Sequence, residues 1–311
     1  MRGIPPSSPS PSPSHSPSPP PPPPPQPATV LFSVPTSELP APLPSVQEIE
    51  KSPNVLKELW SKRVVRMGQQ YVVKYGGNTK PVEGKNMIFA RQHLQNMVPR
   101  VFAIYQRPRQ KPLSAITYII MEYLHARPLS EIWSTLSENE RLRIIDTLHH
   151  TLQILRSLPP PDYFGGLGST SLNDEIFSTK GEPNRAINGP FRMESELIQA
   201  FISRYRTEGG DRVFQKAEYY RHVLPHVLQG NGKPVFTHGD LQRNNIMVGS
   251  EGKVMIIDWA TSGWYPIWWE YAMAMQASRW DDDWHRYTPK WMSEFPNHYA
   301  WLHMLLSEIW C

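Results

Sequence analysis

The stretch Thr237-His-Gly-Asp-Leu-Gln-Arg-Asn-Asn-Ile-Met-Val248 gathers polar side chains between two short apolar runs. Asp240 and Asn245 stand five residues apart on the connecting loop, and Asp258 closes the run Lys253-Val-Met-Ile-Ile-Asp258 thirteen residues beyond Asn245. Three oxygen-bearing side chains at the ends of short strands suit Mg²⁺. That ion takes one or two carboxylates, keeps several waters and completes its shell with nucleotide phosphates. One carboxylate is then free to orient a nucleophile. The competing reading is a polar turn in which Asp and Asn only cap the chain.

These side chains need elements to hold them. Short strands are expected over 235–237, 246–248 and 254–257, around the polar loop. Upstream, 63–67 and 71–74 read as two β-rich runs joined by a tight turn at Gly68-Gln69, preceded by a short helical stretch over 45–60. A helix over 82–94 and strands over 100–106 and 116–123 follow, giving the order β-β-α-β-β. From Ser130 the pattern turns helical. Ser137-Glu-Asn-Glu140 is a capping box, and Leu142, Ile145, Leu148, Leu152 and Leu155 then repeat at three- and four-residue spacing. Two more helices are expected over 193–205 and 213–228. The reading is an α+β fold with a small β-rich lobe and a larger, mainly α lobe, meeting near 122–127, and ligand sites favour such clefts.

Composition narrows the function classes. Of 34 prolines, 18 fall in the first 45 residues, so residues 1–45 are expected to be a disordered Pro/Ser-rich tail, or polyproline II. Residues 46–124 then form the first lobe and 125–311 the second. Past residue 45, 31 bases face 27 acids with no long basic run, which argues against a nucleic-acid partner. The single cysteine, Cys311, excludes an internal disulfide framework and fits a reducing, cytoplasmic setting. No apolar stretch is long enough to span a bilayer, so no membrane association is expected.

His238-Gly-Asp240-xxxx-Asn245 with Ile-Ile-Asp258 resembles the motif of aminoglycoside phosphotransferases and related kinase-like small-molecule kinases. Phe164-Gly-Gly-Leu167, Asn188-Gly-Pro190 and Trp264-Tyr-Pro266 with Trp269-Glu-Tyr-Ala272 resemble a large fungal group within that family. The resemblance covers about residues 46 to 311. It implies a bilobal protein-kinase-like fold and transfer of the γ-phosphoryl group of ATP, with GTP as an alternative donor, to a small-molecule hydroxyl. It also implies roles. Asp240 would orient the acceptor hydroxyl, Asn245 and Asp258 would hold Mg²⁺, and His238 would brace the loop. Lys74 would contact the α- and β-phosphates, Glu83 would hold that lysine, and backbone groups at Glu122 and Leu124 would read the adenine edge.

The sequence departs from the family pattern in three places. Only Gly68 stands where protein kinases carry several glycines, so phosphate covering is expected from the turn over 66–69. Ala260 replaces an acidic residue found in many relatives, and Gln242 replaces the lysine of Ser/Thr protein kinases. For the acceptor, Glu270 and the Asp281-Asp-Asp283 run could receive an amine-bearing substrate, whereas the tryptophans around them read as core. The alternative to an enzyme is a catalytically silent kinase-like scaffold whose Pro-rich tail recruits SH3- or WW-type partners.

Overall fold

In the computed structural model, which describes residues 26–110, 113–179, 183–278, 280 and 282–309, the chain opens with strand β1 (Thr29–Ser33) and helix α1 (Val46–Lys51). Strands β2 (Val55–Leu59), β3 (Lys62–Met67) and β4 (Tyr71–Gly76), helix α2 (Pro81–Leu94), and strands β5 (Val101–Arg107) and β6 (Ile116–Glu122) follow. The six strands form one antiparallel sheet in the order β1-β5-β6-β4-β3-β2. β-branched residues at Val64, Val65, Val72 and Val73 favour the central hairpin, and Pro81 starts α2 at a position where a missing N–H costs nothing.

The sheet buries both faces. Ile104, Ile119 and Met121 pack under α2 with Met87, Ala90 and Leu94. On the other face, Val65, Tyr71, Val73, Phe102 and Ile120 surround Ile49 of α1, covered by Val34, Leu39, Ala41 and Leu43. That cover corrects the expected tail boundary. The fold takes in residues 29–45: β1 pairs with β5, and the Tyr71 hydroxyl bonds the Ala41 carbonyl. Proline count misled because β1 itself contains none and occupies an edge, while the prolines that follow it alternate with the apolar residues that cover the sheet. Residues 1–25 of that tail lie outside the described residues, as do Asp281 and Cys311.

The helix expected over 45–60 is also shorter. Ser45 and Glu48 make a capping box, but α1 ends at Lys51 ahead of Pro53, and the apolar residues beyond form edge strand β2.

After β6 come β7 (Ala126–Pro128), α3 (Leu129–Ile132) and the long α4 (Glu138–Ser157), capped by Ser137 and Glu140 as expected. Then follow α5 (Arg185–Asn188), α6 (Glu194–Gly209), α7 (Phe214–Val227), β8 (Val235–Thr237), β9 (Ile246–Gly249), β10 (Val254–Ile256) and β11 (Gly263–Tyr265). Helices α8 (Trp269–Gln276), α9 (Thr288–Trp291) and α10 (Pro296–Ile309) close the chain. β10-β9-β7 make a small sheet and β8 pairs with β11. Ile145, Leu148, Leu152 and Leu155 of α4 pack against Phe236, Ile246 and Ile256, so one core supports both strand pairs that flank the polar loop. Leu142, expected in the same stripe, is exposed. The tryptophans are mostly core, as composition suggested: Trp259, Trp268 and Trp269 are fully buried, and Trp280 is exposed. No helix among the described residues is long and apolar enough to cross a membrane.

Candidate active site

Three distant segments meet at Lys74. It lies on β4 opposite Val64 of β3 and Ile119 of β6. Its ammonium is 2.6 Å from Glu83 Oε1, in the first turn of α2, and 2.7 Å from Asp258 Oδ1, just past β10. Burial opposes the Lys74 charge, yet the two carboxylates outweigh it and raise its pKa. Asp258 is only partly buried, and Lys74 draws it below the usual carboxylate range. Glu83 is the most deeply enclosed of the three, and burial raises it despite Lys74. Lys85, two residues on, is exposed and takes no part.

The loop after β8 is held from below. His238 Nδ1 accepts the Asp240 N–H at 3.2 Å, so its Nε2 carries the proton and donates to the Ile257 carbonyl at 3.0 Å. Burial pushes this imidazole down to about 4, and its ring meets Trp259 edge-on at 4.6 Å. His238 therefore ties the Asp240 loop to the residue preceding Asp258. Gly239 has φ +84°, and a Cβ there would stand 3.0 Å from Thr261 Oγ1.

Asp240 faces outward from this frame. Gln242 Nε2 donates to Oδ1 and Asn245 Nδ2 to Oδ2, each at 2.8 Å. Burial raises its pKa while the two amides pull it back. The Asn245 amide also donates to the Asp240 carbonyl at 2.8 Å, so both donors serve Asp240 and only Oδ1 remains for a cation. Asp258 likewise spends one oxygen on Lys74 and keeps the other. One carboxylate and one amide oxygen form a hard donor set that fits Mg²⁺ carried on phosphates. Among the described residues there is no cluster of three His, Cys, Asp or Glu that could bind a metal unaided.

Glu270, expected as a substrate contact, is fully buried. Its two oxygens receive the His238 N–H at 2.7 Å and the Gly239 N–H at 3.1 Å. It positions the loop and offers nothing to a substrate. Around Ala260, where many relatives carry an acid, two amides hold the backbone. Asn86 of α2 donates to the Trp259 and Ser262 carbonyls at 2.8 and 3.0 Å, and Asn173 donates to the Ala260 carbonyl at 2.8 Å.

The turn over 66–69 does not cover this region. Tyr71 opposes Glu122, and the Tyr123 N–H donates to the Gln70 carbonyl at 2.9 Å, so the turn stands beside the chain crossing between lobes. There the Glu122 N–H is spent on the Arg100 carbonyl at 2.8 Å. Of the backbone groups expected at the crossing, the Glu122 carbonyl and those of Leu124 remain as candidates.

Gln242 also borders a cavity of about 260 Å³ with Ser130, Asn244, Ser278, Asp282 and Trp284. Asp282 there pairs with Arg243, and Asp283 with Arg141 at 3.0 Å, so these two acids are already partnered. Asn86, Asn173 and the buried Asp174, which burial lifts to about 6, escaped sequence reasoning. Only Asn86 left a signal, as a polar residue three after Glu83 and so on the same helix face.

The sequence profile of the phosphotransferase enzyme family (APH) matches residues 56–302. No curated protein matches the chain. Among solved structures, aminoglycoside phosphotransferase APH(2'')-Ib with ADP bound is similar at a TM-score of 0.50 and 16% identity, over 82% of this chain and 79% of that one. LicA in complex with AMP gives 0.45 and 14%, over 83% and 79%. The first of these likenesses shows the same two-part α+β, kinase-like fold.

Proposed function

Since the chain belongs to the phosphotransferase enzyme family, we propose that it transfers the γ-phosphoryl group of ATP, or of GTP, to a hydroxyl of a small molecule. The observation that carries this reading is Asp240. Its carboxylate is oriented by two amides, kept basic by burial, and joined through Gln242 to a polar cavity. Across the cleft stands a lysine held by two carboxylates.

In this mechanism the acceptor occupies the cavity bordered by Gln242 and extends its hydroxyl out of it to Asp240, with the proton toward the carboxylate. The hydroxyl oxygen forms the new bond to the γ-phosphorus as the bond to the β,γ-bridging oxygen breaks. The proton passes to Asp240, and the nucleoside diphosphate leaves. Lys74, fixed by Glu83, neutralises the α- and β-phosphates. Asn245 Oδ1 and the free oxygen of Asp258 would hold Mg²⁺, which supplies further charge neutralisation on the phosphates when bound. Backbone groups of Glu122 and Leu124 would take the base.

Thermal unfolding of the full chain with MgATP, MgGTP and nucleotide plus EDTA tests the reading. Nucleotide at a hundred times its Kd should add about 2.7 kcal/mol to stability. The expected result is a Mg²⁺-dependent shift in wild type that Asp258→Ala abolishes. No shift at millimolar nucleotide would overturn the reading in favour of a silent kinase-like binding protein.

A further inference from the structure

The turn Leu59-Trp60-Ser61-Lys62 joins β2 to β3 and contains no glycine. It stands at the opposite end of the β3–β4 hairpin from the turn over 66–69, on the Lys74 side. Lys62 opposes Gly76, two residues past Lys74 on β4. The Ser61 carbonyl accepts from the Asn78 N–H at 3.3 Å. It also lies so near Gly76 (φ +148°) that a Cβ there would be 2.0 Å away. Strand β4 must therefore carry glycine at this point for the turn to close over it.

Register fixes where Lys62 points. Val64 opposes Lys74 and Lys62 opposes Gly76, so Lys62 leaves the sheet on the face that carries Lys74. The two lysines are diagonal cross-strand neighbours, about 7–8 Å apart at the backbone. Lys74 has two carboxylate partners within reach. Lys62, half-buried, makes no ion pair among the described residues, although its charge is felt by Glu83, Asp240 and Asp258. It stands in the field of these carboxylates without being bonded to any of them, so its ammonium is placed to take a phosphate oxygen directly.

We propose that Lys62 is a second phosphate anchor, gripping the terminal phosphates of the nucleotide with its side chain where a glycine-rich turn would offer backbone N–H groups. The proposal rests on the nucleotide reading above. The Lys62 ammonium acts on the β- and γ-phosphates, and the base and the α-phosphate fall to other residues.

The test is calorimetric titration of AMP, ADP and ATP, each with Mg²⁺, into wild type, Lys62→Met and Lys62→Arg. Lys62→Met should lose about tenfold or more in ATP affinity, as expected for a hydrogen bond to a charged group. It should lose less for ADP and nothing for AMP, and Lys62→Arg should recover most of the loss. An equal loss for all three nucleotides, or none, would overturn the anchor while leaving the nucleotide site standing. Wild type that binds no nucleotide would overturn both.

Discussion

At Asp240 a carboxylate is enclosed enough to hold its proton more tightly than in water, yet two amide donors keep it aimed and ionised. Asp240→Asn keeps the shape and removes the proton acceptor. Turnover should fall by about 10² to 10⁴ with nucleotide affinity unchanged, which steady-state kinetics beside calorimetry would check. Glu83 behaves differently, because its work is structural. Glu83→Ala leaves Lys74 enclosed but still paired with Asp258, and should cost about 1.5 kcal/mol in urea unfolding, the worth of one hydrogen bond to a charged group. At this scale the sequence was most legible. Lys74, Glu83 and Asp258 converge and Asp240 pairs with Asn245, because short-range spacing fixes the loop and one register fixes the lysine. Glu270 was misplaced because a carboxylate that receives two backbone N–H groups is indistinguishable in sequence from one that faces a ligand.

Helix α2 and helix α8 are the two beams of the site. α2 sends Glu83 to Lys74 and Asn86 to the turn after Asp258, so it links the sheet to the helical part. Asn86→Ala strands two buried carbonyls and should cost about 2 kcal/mol, read by chemical denaturation. α8 holds the Asp240 loop through Glu270, whose pKa burial lifts to about 7 from 4.5. Between those values the folded chain keeps a proton that the unfolded chain has released. The stability it contributes is full below pH 4.5 and is lost as pH rises through 7. His238 acts in the opposite sense. Lowered to about 4 from 6.5, it costs stability as pH falls through that interval. Glu270→Gln removes only the first effect. Its Tm relative to wild type should rise steadily from pH 5 to pH 7.5, and a pH-independent difference would contradict the assignment.

Across the whole molecule, the N-terminal segment is a working part of the fold. Residues 29–45 supply an edge strand and the apolar cover of the outer sheet face. A chain beginning at Val46 should therefore unfold at a lower temperature than one beginning at Gln26, and should expose enough apolar surface to bind a hydrophobic dye. The sequence by itself determined the two-part α+β order, the capped α4, the hairpin bearing Lys74 and the Asp240–Asn245 loop. Each is a local matter of apolar period, capping chemistry or spacing along one stretch of chain. Tertiary structure alone decided that the proline-rich stretch ends in a covering strand and that Glu270 serves a backbone. It also decided that two asparagines hold the carbonyls of the turn after Asp258 and that the turn at Lys62, not the one at Gly68, closes on the strand end beside Lys74. Those outcomes depend on which strand neighbours which and on which buried polar group finds a partner, and both are settled only when distant segments pack together.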